Sequence, residues 1–230
     1  MALGLANAGA KKVYILGRRK AVLEEAAKAH PSLHPIECDV VSKASLQAAV
    51  DAVSKDSGGY VNLVIANSGV SGPVVRWSDP TAVTLSGSEV NADVSVSVSE
   101  QRKRLFEEVD MNKFTETFHV NVTGAYFTML AFMELLDAGN ANALKGGFGA
   151  PIATGQGKGK VPVPIIQSQV IFTSSISAYS RAHLSFPAYS GSKAAIAHLM
   201  KHASTNLAPY GIRANALCPG SKVFFLSFYF

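Results

Sequence analysis

Apolar residues gather in short blocks along this chain, separated by stretches where they recur every third or fourth position. The blocks are KVYILG at 12–17, HPIECDV at 34–40, VNLVIANSG at 61–69, QVIFTSS at 169–175 and IRANALCPG at 212–220. Each is rich in apolar or β-branched residues and bounded by turn formers, which predicts five buried strands. VNLVIA is almost continuously apolar, as suits a parallel sheet covered on both faces. Helical spacing fills the intervals. Residues 1–9 alternate Leu and Ala and stop at Gly9, residues 18–30 carry helix formers throughout, and 42–56 form an amphipathic run with Ser42 placed to cap it. One long helix is expected from Ser99 to Leu136, its core-facing part being FTETFHVNVTGAYFTMLAFMELL, and another from about Ala188 to Leu207.

Two stretches break the rhythm. Residues 70–99 mix turn formers with a Ser/Val alternation and read as a loop region with room for one short strand. Residues 137–168 are rich in Gly, Pro and Lys and read as a surface insertion. Strand and helix otherwise alternate, which argues for an α/β domain built on a parallel sheet. With no internal repeat and no second boundary, residues 1–230 are expected to form a single domain.

Composition removes several classes. At 230 residues, the chain is long enough for one sizeable core, and 48% hydrophobic with 16% charged residues is not the balance of a disordered chain. The net charge of +5 is spread over KK, RRK, RKR and KGK among carboxylates, so no nucleic-acid partner is expected. Cys38 and Cys218 stand far apart near strand ends and make no disulfide framework, which points to a reducing, cytoplasmic setting. No signal-peptide layout is present, and no apolar run approaches the roughly 20 residues of a membrane span. NVT at 121–123 matches a glycosylation acceptor that a cytosolic chain would not use.

Parallel sheets bind ligands at the carboxyl ends of their strands. Here those ends read GRR (17–19), DV (39–40), ANSG (66–69), TSS (173–175) and PG (219–220). The helix after the fourth strand opens with AYSGSKAA, placing Tyr189 and Lys193 one turn apart on one face. A phenol titrates at about 10, and a nearby ammonium favours its ionised form, which suits general acid–base work. A serine at a strand end, Ser175, could hold a substrate oxygen beside it. Taken alone, the pair reads more readily as a surface tyrosine and a solvated lysine. His198 and His202 have metal spacing but no third ligand, so a surface or interface role is expected of them. Phe114, Phe118, Tyr126, Phe127 and Phe132 fall at helical spacing and read as core or subunit contacts.

The order of these motifs says more than any one of them. Strand-ending SS, then YSGSK, then NALCPG, all after CDV and NSG, resembles the short-chain dehydrogenase/reductase family of the classical type, over essentially residues 1–220. The resemblance implies a Rossmann-type doubly wound parallel sheet in three layers. It also implies an NAD(P)-dependent oxidoreductase that interconverts a ketone or aldehyde with a (secondary) alcohol, medium-sized and hydrophobic by analogy with the family. By the same resemblance Tyr189 is the acid/base, and Lys193 lowers its pKa and bonds the nicotinamide ribose. Ser175 polarises the substrate carbonyl, with Ser174 the alternative because the Ser–Tyr spacing is one longer than is common. Asn121 holds a proton-relay water. Asp39, with Val40 beside it, meets the adenine. Asn67 and Gly69 stand where the family has NNAG, and Pro219 and Gly220 line the nicotinamide. Arg18, helped by Arg19, occupies the place of an acidic residue in NAD-dependent members. An acid accepts from the ribose 2′-hydroxyl, whereas arginine suits a 2′-phosphate, so NADP(H) is expected over NAD(H). A homo-oligomer, dimer or tetramer, is implied for the complete member.

Both ends depart from the pattern. The family's first strand and TGxxxGxG turn, whose N–H groups hold the pyrophosphate, have no counterpart, and Met1 falls inside the helix that would follow. That strand is central in the family's sheet, so a gap is expected there. After CPG the family continues through a substrate loop, a helix and a last strand, whereas this chain reads SKVFFLSFYF, an aromatic, acid-free tail with aggregation-prone character. The expectation is a family member truncated at both ends. It is either a functional oxidoreductase in its complete form or a catalytically inactive chain acting through protein partners. A lyase or epimerase of the extended branch fits less well, since such members carry a larger C-terminal region.

Overall fold

A computed structural model describes residues 1–75, 97–151, 163–181 and 186–220. The strand considered within 70–99 therefore falls mostly outside the described residues, as does the 221–230 tail. All five expected strands form: β1 Val13–Gly17, β2 Leu33–Glu37, β3 Leu63–Ala66, β4 Gln169–Thr173 and β5 Arg213–Leu217. Every pairing is parallel. β1 pairs with β2, Val13 opposite Leu33, while β4 lies between β3 and β5 with Val170 opposite both Val64 and Ala214.

The pairings make two sheets, β1–β2 and β3–β4–β5. The break falls where the resemblance places the family's first strand. Its effect is visible in burial. β1 is apolar, yet each of its residues is only partly buried, whereas β4, with a neighbour on both edges, buries Val170 and Phe172 completely. The halves still share one core, in which Tyr14, Leu16 and Ile36 pack against the cluster of Val64, Leu136, Phe172 and Ile196.

Eight α-helices accompany the strands among the described residues: α1 Ala2–Asn7, α2 Lys20–Ala27, α3 Lys43–Ser57, α4 Val98–Arg102, α5 Met111–Phe118, α6 Ala125–Ala131, α7 Met133–Leu144 and α8 Pro187–Leu207. α1 and α2 pack on the two-stranded sheet, α6 on β3, and α8 on β4 and β5. α3 starts at the expected cap, where Ser42 Oγ accepts from the Ser45 N–H at 3.3 Å, and it stops at Gly58 in the left-handed region, φ +79°. No helix among the described residues is long and apolar enough to cross a membrane.

Two expectations need correction. The single helix over Ser99–Leu136 is instead a series. A π turn at Lys103–Glu107 ends near Asp110, which caps α5 by accepting from the Asn112 N–H at 2.8 Å. A second π turn spans His119–Gly124, and Phe132 separates α6 from α7. A π turn adds a residue without ending the apolar stripe, so periodicity reads straight through it. The insertion expected over 137–168 also begins too early, because α7 runs to Leu144 and buries Gly139, Asn140 and Ala143. Asn140 donates to the Gly211 carbonyl at 3.0 Å and accepts from the Ser168 N–H at 2.8 Å, tying α7 to the entries of β4 and β5. A Cβ at Gly139 would overlap the Val61 carbonyl. These small residues serve close packing here, although the same residue types also mark loops.

Candidate active site

β4 delivers two serines to one end of the sheet, and they point different ways. Adjacent residues of an extended chain face opposite sides. Ser174 is buried and donates its hydroxyl to the Lys193 carbonyl at 2.8 Å. Ser175 turns the other way, caps a short 3₁₀ turn at Ile176–Ala178, and hydrogen-bonds the Tyr189 side chain. Of the two candidates, then, Ser175 is the one placed at the phenol.

α8 carries the tyrosine and lysine. Pro187 opens it, a residue suited to the first turn because its missing N–H would be unpaired there anyway. Tyr189 is half-buried, and burial pushes its phenol up, with the Ser175 hydrogen bond pulling down. Lys193 is 4% exposed. Its ammonium donates to the Thr173 carbonyl at 2.7 Å and lies over the tyrosine ring, 5.5 Å from the centre, rather than at the hydroxyl. The expectation that Lys193 lowers the tyrosine is therefore not met in this arrangement. Burial acts on the lysine as well and brings it down to about 8.

Asn121 sits in the second π turn and is 1% exposed. Its Oδ1 accepts from the Val70 N–H at 2.7 Å, and its Nδ2 donates to the Val70 carbonyl and to Ser192 Oγ, both at 2.9 Å. The loop after β3 is thereby fixed over the site. Gly69 closes it: a Cβ there would lie 3.1 Å from Asn121 Oδ1 and 3.4 Å from Lys193 Nζ. Asn67, exposed beside it, accepts from Thr173 Oγ1 at 3.1 Å.

The remaining candidates stand further out. The Pro219 carbonyl accepts from the Ile176 N–H at 3.1 Å, and Gly220 packs on the Ile176 side chain, which joins the end of β5 to the turn after Ser175. Asp39 is held by its own loop, its carboxylate accepting from the Val41 N–H at 3.2 Å. Val40 packs against Gly124, three residues past Asn121. Arg18 and Arg19 are exposed at the end of β1 and make no ion pair among the described residues. His198 and His202 are exposed on α8, and no group of metal-ligating side chains is found among the described residues. Thr173 and Ser192 received no role from the sequence. Both lie inside quoted motifs, but side-chain direction, which spacing does not carry, is what brings them in.

The chain matches the family described as short chain dehydrogenase over residues 1–168 and 164–222. It is 59% identical to the short-chain dehydrogenase/reductase SAT3 of Stachybotrys chartarum over 96% of this chain and 73% of that protein. The chain belongs to the short-chain dehydrogenase/reductase family. A second such dehydrogenase/reductase, PhomF′ of Diaporthe leptostromiformis, is 41% identical over 91% of this chain, which spans 60% of that protein's length. Among solved structures, an NAD⁺-bound xylitol dehydrogenase superposes with a TM-score of 0.66 at 22% identity, over 95% of this chain and 64% of its own. A Pseudomonas aeruginosa RhlG/NADP complex superposes with a TM-score of 0.62 at 20% identity, over 95% of this chain and 66% of its own. These two likenesses show the doubly wound Rossmann fold. In this chain Ser175, Tyr189 and Lys193 gather beyond the carboxyl end of β4, with Asn121 and Lys193 both facing Gly69.

Proposed function

We propose that this chain is a pyridine-nucleotide-dependent oxidoreductase in which Tyr189 exchanges a proton with the oxygen of a small ketone, aldehyde or alcohol. The observation that carries the reading is the Tyr189–Ser175 hydrogen bond at the carboxyl end of a parallel strand, backed by buried Lys193 and Asn121. A bound nicotinamide would supply or accept the hydride. Ser175 holds the substrate oxygen beside the phenol, so that proton transfer is intramolecular in effect. Lys193, with a midpoint of about 8, is protonated at neutral pH yet close enough to titration to pass a proton on. Asn121 holds the loop that closes over it.

The residues fit the two ends of a dinucleotide. Tyr189 and Lys193, with Asn67, Gly69, Pro219 and Gly220 around them, suit the nicotinamide and its ribose. Asp39 and Val40 suit the adenine, and the exposed Arg18 and Arg19 suit a ribose 2′-phosphate, favouring NADP(H). None of these residues is assigned to the pyrophosphate, which a glycine-rich turn opening a helix would hold.

The test is therefore made on two forms of the chain. Calorimetry with NADPH should show no measurable binding to the chain as it stands, and binding to a version extended by a strand and TGxxxGxG turn at its N-terminus. Micromolar binding by the unextended chain would refute the need for the turn. In the extended form, Tyr189→Phe should lower kcat by about 100- to 10,000-fold on a carbonyl panel while NADPH affinity is kept. A variant that retains turnover would end the proposal.

A further inference from the structure

Ser192 has no part in the chemistry above, yet it is fully buried and makes two strong hydrogen bonds. Its hydroxyl donates to the Tyr189 carbonyl at 2.7 Å and accepts from Asn121 Nδ2 at 2.9 Å. The proton arrangement has one solution. The Val70 N–H can only donate, so the atom it meets on Asn121 is Oδ1, and the amide face turned to Ser192 is Nδ2. Nδ2 can only donate as well, so the serine's own hydrogen must go elsewhere, and the Tyr189 carbonyl receives it. Close approach makes this possible. α8 meets α5 through Gly191, where a Cβ would lie 3.1 Å from the Phe118 ring.

We propose that Ser192 is a positioning residue whose hydroxyl locks the Tyr189–Lys193 turn of α8 to Asn121, and through it to the loop after β3. The same helix supplies the contrast. Ser204 also bonds the carbonyl three residues back, that of Lys201 at 2.8 Å, but it is exposed and makes no bond to another element among the described residues. That bond is an ordinary local feature of helix serines. Ser192 adds to it a bond across the domain, 71 residues distant in sequence. Ser192→Ala would leave an Asn121 donor unpaired in a buried site and cut the tie between Asn121 and the Tyr189 turn, whose carbonyl keeps only its helical partner. The first turn of α8 is then free to shift, and the phenol drifts from Ser175.

This inference rests on reading Tyr189 as the acid–base group, but its test reads the phenol directly and needs no turnover. The chain has seven tyrosines. With tyrosine labelled with carbon-13 at Cζ, the Tyr189 resonance is the one absent from Tyr189→Phe, and its pH titration is followed by NMR. Losing the Ser175 bond, which pulls the phenol down, should move the midpoint upward in Ser192→Ala. Ser192→Cys, alike in shape but larger and with a weaker donor and acceptor, should move it less in the same direction, and Ser204→Ala should leave it unmoved. Lys193, the charged group facing the ring among the described residues, is present in all three. A wild-type midpoint in Ser192→Ala overturns the proposal, as does an equal shift in Ser204→Ala. Should the alanine variant not fold, a wild-type midpoint in Ser192→Cys does the same. If Tyr189→Phe retains full turnover, the functional reading falls while this measurement still stands.

Discussion

Lys193 is a base held where its charge is disfavoured, and the consequence for stability can be worked out. The side chain is 4% exposed, and burial brings it to about 8 from an ordinary 10.5. In the unfolded chain a lysine keeps its proton to about pH 10.4, whereas in the folded chain it gives it up from about pH 8. Between those values the unfolded state binds more protons, so stability rises with pH. Below about pH 8 both states are protonated and the folded state carries the whole penalty. At about 1.4 kcal/mol per pH unit, the gain from pH 7 to 10 is about 2–3 kcal/mol. Other groups slope the opposite way. The Cys38 thiol and the Tyr14 and Tyr189 phenols are all pushed up, so the unfolded chain loses those protons first and their contribution falls as pH rises from about 9. A variant that deletes only the lysine separates them. Urea unfolding of wild type and Lys193→Met, followed by circular dichroism at several pH values, gives a difference curve in which the shared groups cancel. The advantage of methionine should be largest at pH 7 and shrink by about 2–3 kcal/mol by pH 10. A flat curve would mean that Lys193 titrates as a free lysine, and the reasoning from its burial would be wrong.

Other consequences follow from single side chains. Phe172 is fully buried in the central strand, and Phe172→Ala should cost about 3–5 kcal/mol in urea unfolding. A cost under about 1 kcal/mol would mean that the core is not packed around it. Gly72 has φ +69° and a Cβ there would overlap Thr117 Oγ1, so Gly72→Ala should destabilise by at least about 1 kcal/mol, whereas a neutral substitution would refute the geometry of that turn. In the N-terminally extended chain Arg18→Glu should turn a preference for NADPH into one for NADH in fluorescence titration. Tighter NADH binding by the unsubstituted form would remove the role given to Arg18.

The strands were legible because each is a compact apolar block closed by turn formers, and a parallel strand needs little else to be recognised. The Ser42 cap was legible for a similar reason, since the cap and its target N–H are three residues apart. The helical region over 99–144 was not. Its breaks depend on an aspartate capping at 110 and on π turns that keep the apolar stripe intact. The choice between Ser174 and Ser175 could not be made from spacing to Tyr189, because spacing does not carry side-chain direction. Direction decides it: one hydroxyl faces the backbone of α8 and the other faces the phenol. Ser192 was hidden in plain view within YSGSK, since its partner lies 71 residues away on another helix.

The divided sheet bears on how the site would fail. Ser175, Tyr189, Lys193 and Asn121 belong to the turn after β4, to α8 and to the π turn before α6, all supported by the three-stranded half. Their bonds close on one another, through Thr173, Ser174, Ser192 and Val70. Arg18, Arg19 and Asp39 ride on the ends of β1 and β2 in the other half. Packing joins the halves: Tyr14, Leu16 and Ile36 in the core, Val40 against Gly124, and the Lys43 ammonium 5.0 Å from the centre of the Phe127 ring. Packing contacts of this kind set distance but not register, whereas parallel ladder bonds set both. Weakening the joint should therefore displace Arg18, Arg19 and Asp39, proposed above for the adenine and 2′-phosphate, before it disturbs the Tyr189–Ser175 pair. The placement of Arg18, Arg19 and Asp39 and the titration of the phenol are separable on this chain for that reason, the first depending on both halves and the second on one.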